Sequence, residues 1–182
     1  MLVHAAAGGV GLLLVQWLKH VGATVIGTVS SDAKAAAARA AGADHVIRYD
    51  RDEVAPKVRE LTGGAGVRAI FDGVGKDTWA ASLDSAAPRA IIASFGNASG
   101  AVEGINLGVL AQKGSLFVTR PTLFDYYRDP AEAAAGVKRV FDLIASGALT
   151  VTIGQTYPLK EAAQAHRDLE ARKTKGSTIL IP

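Results

Sequence analysis

The sequence predicts an α/β fold: a doubly wound, parallel, six-stranded sheet covered by helices, followed by a smaller α/β tail. Three observations carry this expectation. Short β-rich runs alternate with longer alanine-heavy segments of helical period, the order that parallel strands joined by helical crossovers require. Each predicted strand ends in a loop bearing Gly or Asp, where open α/β sheets bind their ligands. The composition, 49% hydrophobic and 20% charged, is that of a globular domain and excludes disordered, collagen-like and disulfide-scaffold chains. For a chain of this mass, area scaling gives a folded surface of roughly 8,300 Å², which leaves room for a real core.

The elements follow in order. Leu2 to Ala5 is a short apolar strand, followed by a glycine-rich turn and an apolar helix from Gly9 to Val21. Thr24 to Val29 is the second strand. Ser30-Ser31-Asp32 then caps a helix through Ala41, which Gly42 ends at a position suited to positive φ. His45 to Arg48 is the third strand, with a helix from Glu53 to Thr62 stopped by Gly63-Gly64. Val67 to Phe71 is the fourth, its helix running from Thr78 to Ala86, and Ala90 to Phe95 the fifth. A helix near Leu107 to Gln112 leads to the sixth strand, Ser115 to Thr119. Beyond Arg120-Pro121 the alternation weakens: Pro130 to Ala145 is helical, Val151 to Leu159 extended, Glu161 to Arg172 helical, and Ser177 to Ile181 a final strand. The tail has too few elements for its own core, so it is expected to pack on the sheet, on a second subunit, or on another part of a longer protein. The domains are accordingly placed at 1–121 and 122–182.

Several function classes drop out. The chain has no cysteine, and its four histidines are scattered without ligand spacing, so no metal is expected. The formal charge of +3 is spread among acids rather than gathered in a run, which argues against nucleic acid. No apolar run reaches the ~18–20 residues of a membrane span and no signal-like stretch opens the chain, so a cytoplasmic protein is expected.

The strongest local signal is Ala6-Ala7-Gly8-Gly9-Val10-Gly11, a dinucleotide fingerprint with alanine in the first glycine place. Gly8 and Gly9 let backbone approach a pyrophosphate, Gly11 lets helix pack on strand, and the helix start offers free N–H groups. A tight strand–helix turn would use the same glycines. At the tip of the second strand, where NAD-preferring sites place a carboxylate, stand Val29-Ser30-Ser31. Lys34, one turn into the next helix, is placed to meet a 2′-phosphate, with Ser30 and Ser31 as further donors, so NADPH is favoured over NADH. Asp32 is an alternative, serving NAD instead of capping. Tyr49, ending the third strand, is a candidate neighbour of the same phosphate. Asp72-Gly73-Val74-Gly75 and Phe95-Gly96-Asn97-Ala98-Ser99-Gly100 put small residues where ribose or nicotinamide would lie, though plain turns explain their glycines equally well. Arg120 either contacts cofactor or substrate or serves a capping or interdomain role. Catalytic machinery is absent by motif: there is no Tyr-x-x-x-Lys, Tyr157 and Lys160 being one residue short, and no G-x-S-x-G. His4 reads as a satisfied core histidine, and Asp50, Asp52 and Glu53 as a solvated face.

With these residues in hand, the whole chain resembles the C-terminal half of a zinc-independent medium-chain dehydrogenase/reductase, in particular the quinone oxidoreductases related to zeta-crystallin. The resemblance rests on His4 to Gly11, Gly27-Thr28-Val29 with Lys34, Gly42-Ala43, Phe71 to Gly75, Ser94 to Gly100, Gly114-Ser115-Leu116 with Arg120-Pro121, and Gly176 to Pro182. It implies a Rossmann domain in which residues matching Gly9, Val10, Ser30, Lys34 and Tyr49 hold the pyrophosphate and 2′-phosphate of NADPH, with Ala7, Gly8, Gly11 and Ser31 as cofactor-binding candidates beside them. The loops matching Phe95, Gly96 and Asn97 and Val118 to Arg120 would approach the nicotinamide, with Val74 and Gly75 as further cofactor-binding candidates. It further implies reduction of a small-molecule quinone or electron-poor enone, with an enoyl reductase of the same superfamily or a non-catalytic NADPH-binding module as alternatives. In that family a barrel-like substrate domain precedes the cofactor strand and the segment matching 122–182 returns to it, so this chain alone is expected to be weak or inactive. Self-association as a homodimer through the sixth strand's edge and the tail is the expected partner mode.

Overall fold

The computed structural model describes residues 1–182. It begins with β1 (Leu2–Val3), α1 (Gly9–His20), β2 (Ile26–Val29), α2 (Asp32–Ala40) and β3 (His45–Arg48). α3 (Val54–Leu61), β4 (Val67–Asp72), α4 (Trp79–Ser85), β5 (Ala86–Ser94), α5 (Gly108–Gln112) and β6 (Phe117–Thr119) complete a parallel sheet of order β3-β2-β1-β4-β5-β6. This is the doubly wound order in which ligands bind where the strand sequence reverses, outside the carboxyl ends of β1 and β4. The tail holds α6 (Leu123–Tyr126), α7 (Pro130–Ala145), β7 (Ile153–Pro158), α8 (Ala162–Glu170) and β8 (Ser177–Ile181), with β7 and β8 paired in parallel.

Alternation along the strands sends side chains to two cores. Leu2, Ile26, Ile47, Ile70 and Ile92 pack on one face with Val58 and Leu83 from α3 and α4. Val3, Val25 and Val29 pack on the other with Val15 and Leu18 of α1 and Ala35 and Ala38 of α2. Burial on both faces is why these strands read as near-continuous apolar runs. α2 starts where Ser31 Oγ accepts the Lys34 N–H at 3.3 Å, and α7 where Asp129 caps Ala131 ahead of Pro130. Gly42 has φ +105°, as its place after α2 requires.

Three elements differ from the sequence reading. β1 stops at Val3, because Ala5 turns the chain at φ +51° into the glycine loop. β5 starts at Ala86 instead of Ala90, running through a register shift against β4 and an Arg89 with φ +60°. The short helix α6 carries no periodic signal and was not expected.

The tail is tied to the sheet domain at several points. The Gly176 N–H donates to Ala7 O at 2.9 Å, and Gln16 exchanges two hydrogen bonds with the Thr150 backbone at 3.1 and 2.7 Å. Even so, the surface is 10,388 Å², well above the roughly 8,300 Å² that mass scaling gives. Large apolar side chains stand exposed: Phe117 on the open edge of β6, then Leu123, Phe124, Tyr126 and Phe141, with Phe124 82% exposed. No helix is long and apolar enough to cross a membrane.

A methyl group on Gly11 would sit 2.3 Å from Ala5 O and 2.9 Å from Ala6 Cα, both backbone atoms that cannot rotate away. Gly11→Ala is therefore expected to cost about 1–3 kcal/mol or more, seen as a lowered calorimetric Tm. Ser85→Ala should hold or raise Tm, since the buried Ser85 hydroxyl has no hydrogen-bond partner to lose.

Candidate functional site

A cleft of about 780 Å³ opens at the carboxyl ends of β1, β2 and β4, a size suited to a cofactor. Its floor is the glycine loop. Gly8 precedes α1, and the N–H groups of Val10 and Gly11 have no hydrogen-bond partner in the protein, while that of Gly9 faces Gly176 O across the Gly8–Gly176 bridge to the tail. No acidic side chain stands in the first turn, so the helix start keeps its full attraction for an anion.

Of the residues picked from sequence, Ala7, Gly8, Ser30, Lys34, Tyr49 and Val74 line this cleft. Gly9, Val10 and Gly11 form the helix start beside it. Ser31 faces an adjoining depression of about 390 Å³ shared with Lys34, Tyr157 and Lys173. Gly75, Phe95, Gly96, Asn97, Val118 and Arg120 are not part of the cleft wall. The loops after β4 and β5 instead close on each other: the Ala98 and Ser99 N–H groups donate to Gly73 O and Val74 O, and a Cβ on Gly96 would lie 2.4 Å from Gly73 O. Their small residues thus serve this mutual packing at the cleft's edge. Arg120 donates to Ser94 O at 2.7 Å, which fixes it across the ends of β5 and β6.

The alternative role for Asp32 finds another answer. Ser31 is the cap, while Asp32 pairs with Arg48 and with Arg51 at 3.2 Å. The hydrogen bond from Arg48 holds its carboxyl below the usual range, as it does for Asp50. Asp52 and Glu53 stand exposed at the cleft rim.

Arg172 is the wall residue that sequence reading missed. It lies in the tail just after α8, at φ +58°, and its guanidinium meets Asp77 at 3.3 Å while its carbonyl accepts the Lys34 ammonium at 2.6 Å. Leu169, Arg172 and Thr174 together bring the tail into the cleft wall. The basic run Arg172-Lys173 before Gly176 was the available signal, but nothing local tied it to Lys34.

Beneath the floor lies a polar chain buried in the core. Asp72 accepts the Val74 and Gly75 N–H groups at 2.9 and 3.0 Å, and the hydroxyls of Thr78 and Ser82 at 2.8 and 2.9 Å. Ser82 Oγ also lies 3.0 Å from His4 Nε2, and His4 Nδ1 lies 3.1 Å from Thr28 Oγ1. A hydroxyl has one hydrogen, and that of Ser82 goes to the carboxylate. His4 must then donate from Nε2 and, when neutral, accept the Thr28 hydroxyl at Nδ1. Burial pushes the His4 imidazolium's pKa down, against a smaller opposing pull from Asp72. The reading of His4 as a satisfied core residue holds, although it also touches the cleft floor.

Residues 9–123 match the family described as zinc-binding dehydrogenase. Over its full length the chain is 53% identical to a quinone oxidoreductase of Pseudomonas aeruginosa and 46% identical to a 2-haloacrylate reductase of a Burkholderia species, spanning 56% and 55% of those proteins. The solved structure of Escherichia coli quinone oxidoreductase complexed with NADPH superimposes with a TM-score of 0.96 at 51% identity, covering all of this chain and 56% of that one. The chain thus spans about half the length of the curated relatives it matches.

The lowered His4 pKa has a consequence for stability. Between that value and the ~6.5 of an unfolded imidazole the unfolded state binds more protons, so this contribution is complete above pH ~6.5 and is lost as pH falls. Thermal melts from pH 8 to 5 should show a steeper loss for the parent than for His4→Gln; parallel curves would contradict the assignment.

Proposed function

The chain belongs to the zinc-binding dehydrogenase family, and from that premise and the cleft geometry we propose that it holds the cofactor in an NADPH-dependent reductase of quinones or related electron-poor enones. One observation carries the cofactor reading: at a single cleft come together a helix start with two unengaged N–H groups, the Ser30 hydroxyl, the Tyr49 ring, and the cationic Lys34 and Arg172. That donor set suits a pyrophosphate at the helix and a phosphomonoester on the adenosine ribose. The carboxylate nearest the tip of β2, Asp32, is engaged by Arg48 and Arg51, so the ribose end keeps donors in place of the acceptor that NAD selection uses.

When bound, NADPH supplies the hydride, and the protein's part is to bind and orient it. Ser30, Ser31, Lys34, Tyr49 and Arg172 would hold the adenosine end and Ala7 to Gly11 the pyrophosphate. Val74 and Gly75 would face the nicotinamide ribose, with Phe95 to Asn97, Val118 and Arg120 bordering the nicotinamide end. The similarity to a 2-haloacrylate reductase supports an acceptor with a polarised double bond as well as a quinone. The open edge of β6 and the apolar residues around α6 and α7 support a homodimer, with segment 122–182 also meeting a substrate domain.

Calorimetric titration with NADPH, and NADH as control, tests the cofactor reading. Lys34→Ala should weaken NADPH by about 1.5–3 kcal/mol and leave NADH nearly unchanged, with Arg172→Ala acting in the same direction; equal losses for both cofactors would refute the phosphate reading. NADPH oxidation with 1,4-benzoquinone set against a 2-enoyl thioester separates the acceptor classes. Turnover with the thioester alone would transfer the assignment to an enoyl reductase, and binding without turnover of either would favour a non-catalytic module. A monomeric light-scattering mass at high concentration would remove the homodimer.

A further inference from the structure

The central strand of the sheet is its shortest at the place where a ligand must be held. β1 pairs only Leu2 and Val3 with β2 and β4, while β2 continues to Val29 and β4 to Asp72. Past Val3 the chain between the two flanking strands leaves strand geometry but stays tied to both, the His4 N–H donating to Phe71 O at 3.0 Å and the Ala6 N–H to Thr28 O at 3.1 Å. Adjacent strands lie about 4.7–4.9 Å apart, so the loop bearing Ser30 and the loop bearing Val74 and Gly75 stand two such spacings apart, with the turn of residues 4–7 between them. Side chains add a further link across this width. Thr28 of β2 meets His4, His4 meets Ser82 of α4, Ser82 meets Asp72 of β4, and Asp72 holds the Val74–Gly75 backbone and Thr78. His4, Thr28, Asp72 and Ser82 are all buried, and His4, Thr28, Val74 and Thr78 also line the cleft.

We infer that His4 is a positioning residue, whose side chain adds a second link where the β-ladder thins out and sets the separation between the adenosine-side and nicotinamide-side loops, so that both halves of one dinucleotide bind together. The inference rests on the cofactor reading above. The hydrogen-bond directions make the bridge specific: a ring donating at Nε2 and accepting at Nδ1 satisfies both hydroxyls at once, and an apolar side chain of equal size satisfies neither. His4 touches no reacting atom; it acts through Thr28 on one side and Asp72 on the other. A spacer of this kind leaves each half-site intact and alters only how well two half-sites are occupied by one tethered ligand.

The test compares a ligand that spans the gap with one that does not, namely NADPH and adenosine 2′,5′-bisphosphate, titrated calorimetrically into the parent chain and into His4→Leu, His4→Gln and Ser82→Ala. His4→Leu and Ser82→Ala should each weaken NADPH by ~10-fold or more, while the bisphosphate changes by less than about twofold. His4→Gln, which keeps a donor near the Nε2 position, should recover part of the loss. Ser82→Ala cuts the same bridge with the imidazole still in place, so it decides the matter if His4→Leu does not fold. Parallel losses for both ligands, as a general loosening of the fold would give, or no loss for either, overturn the role of His4. A parent chain that binds neither ligand overturns the cofactor reading, and this role with it.

Discussion

A carboxylate buried at the end of β4 governs the architecture around the cleft. Asp72 has no cation beside it, so its oxygens take what the chain can offer: two backbone N–H groups and two hydroxyls. Leaving such a group short of partners would cost several kcal/mol. Satisfying it dictates the turn after β4, which folds back so that Val74 and Gly75 point their N–H groups inward. It also dictates where α4 starts and which face it turns to the sheet, since Thr78 and Ser82 must both reach the same carboxyl. The commitment of the Ser82 hydrogen then sets the donor side of His4, and through it the partner of Thr28. One buried group thereby orders residues from β2, β4, α4 and the turn after β1.

The glycine loop is constrained from two sides. From below, Gly11 brings α1 so close to the backbone of Ala5 and Ala6 that no Cβ fits. From above, the tail passes within hydrogen-bond reach, with Gly176 on Ala7. A methyl on Gly9 would come 3.1 Å from Ser177 Oγ and 3.3 Å from Gly176 O, so the small residues here serve the approach of β8 as well as that of a phosphate. The same tail supplies Arg172, whose carbonyl orients Lys34 and whose guanidinium reaches Asp77 on the opposite side of the cleft. The cleft's chemistry is thus shared between a region read as a nucleotide domain and a segment read as belonging elsewhere. The tail's own apolar surface, Phe124 and Phe141 above all, stays open to solvent in the single chain.

Much of this was legible in the residues. Strands buried on both faces read as apolar runs, Ser31 announced the start of α2, and Gly42 its end. The fingerprint around Gly8 marked the helix start, and Lys34 with Ser30 marked the side that the cleft indeed presents. The misses share a cause. β5 begins at Ala86 because its pairing with β4 overrides a local pattern broken by Pro88 and the positive φ of Arg89. α6 is a single turn, too short for a periodicity. Arg172 lies 138 residues from Lys34, and no local pattern reports a contact at that distance.

What the sequence determined by itself was periodicity and punctuation. Alternating apolar runs, caps and glycines are properties of neighbouring residues, and they sufficed for the order of elements, the doubly wound sheet and the carboxyl edge at which its cleft opens. What only the tertiary structure decided were contacts between distant residues: which hydroxyls serve Asp72, which way His4 carries its hydrogen, that Asp32 turns to Arg48 and Arg51, and that the tail walls the cleft. Each depends on where separate strands and helices end in space, and a buried polar group chooses its partners from whatever the fold brings within hydrogen-bond reach.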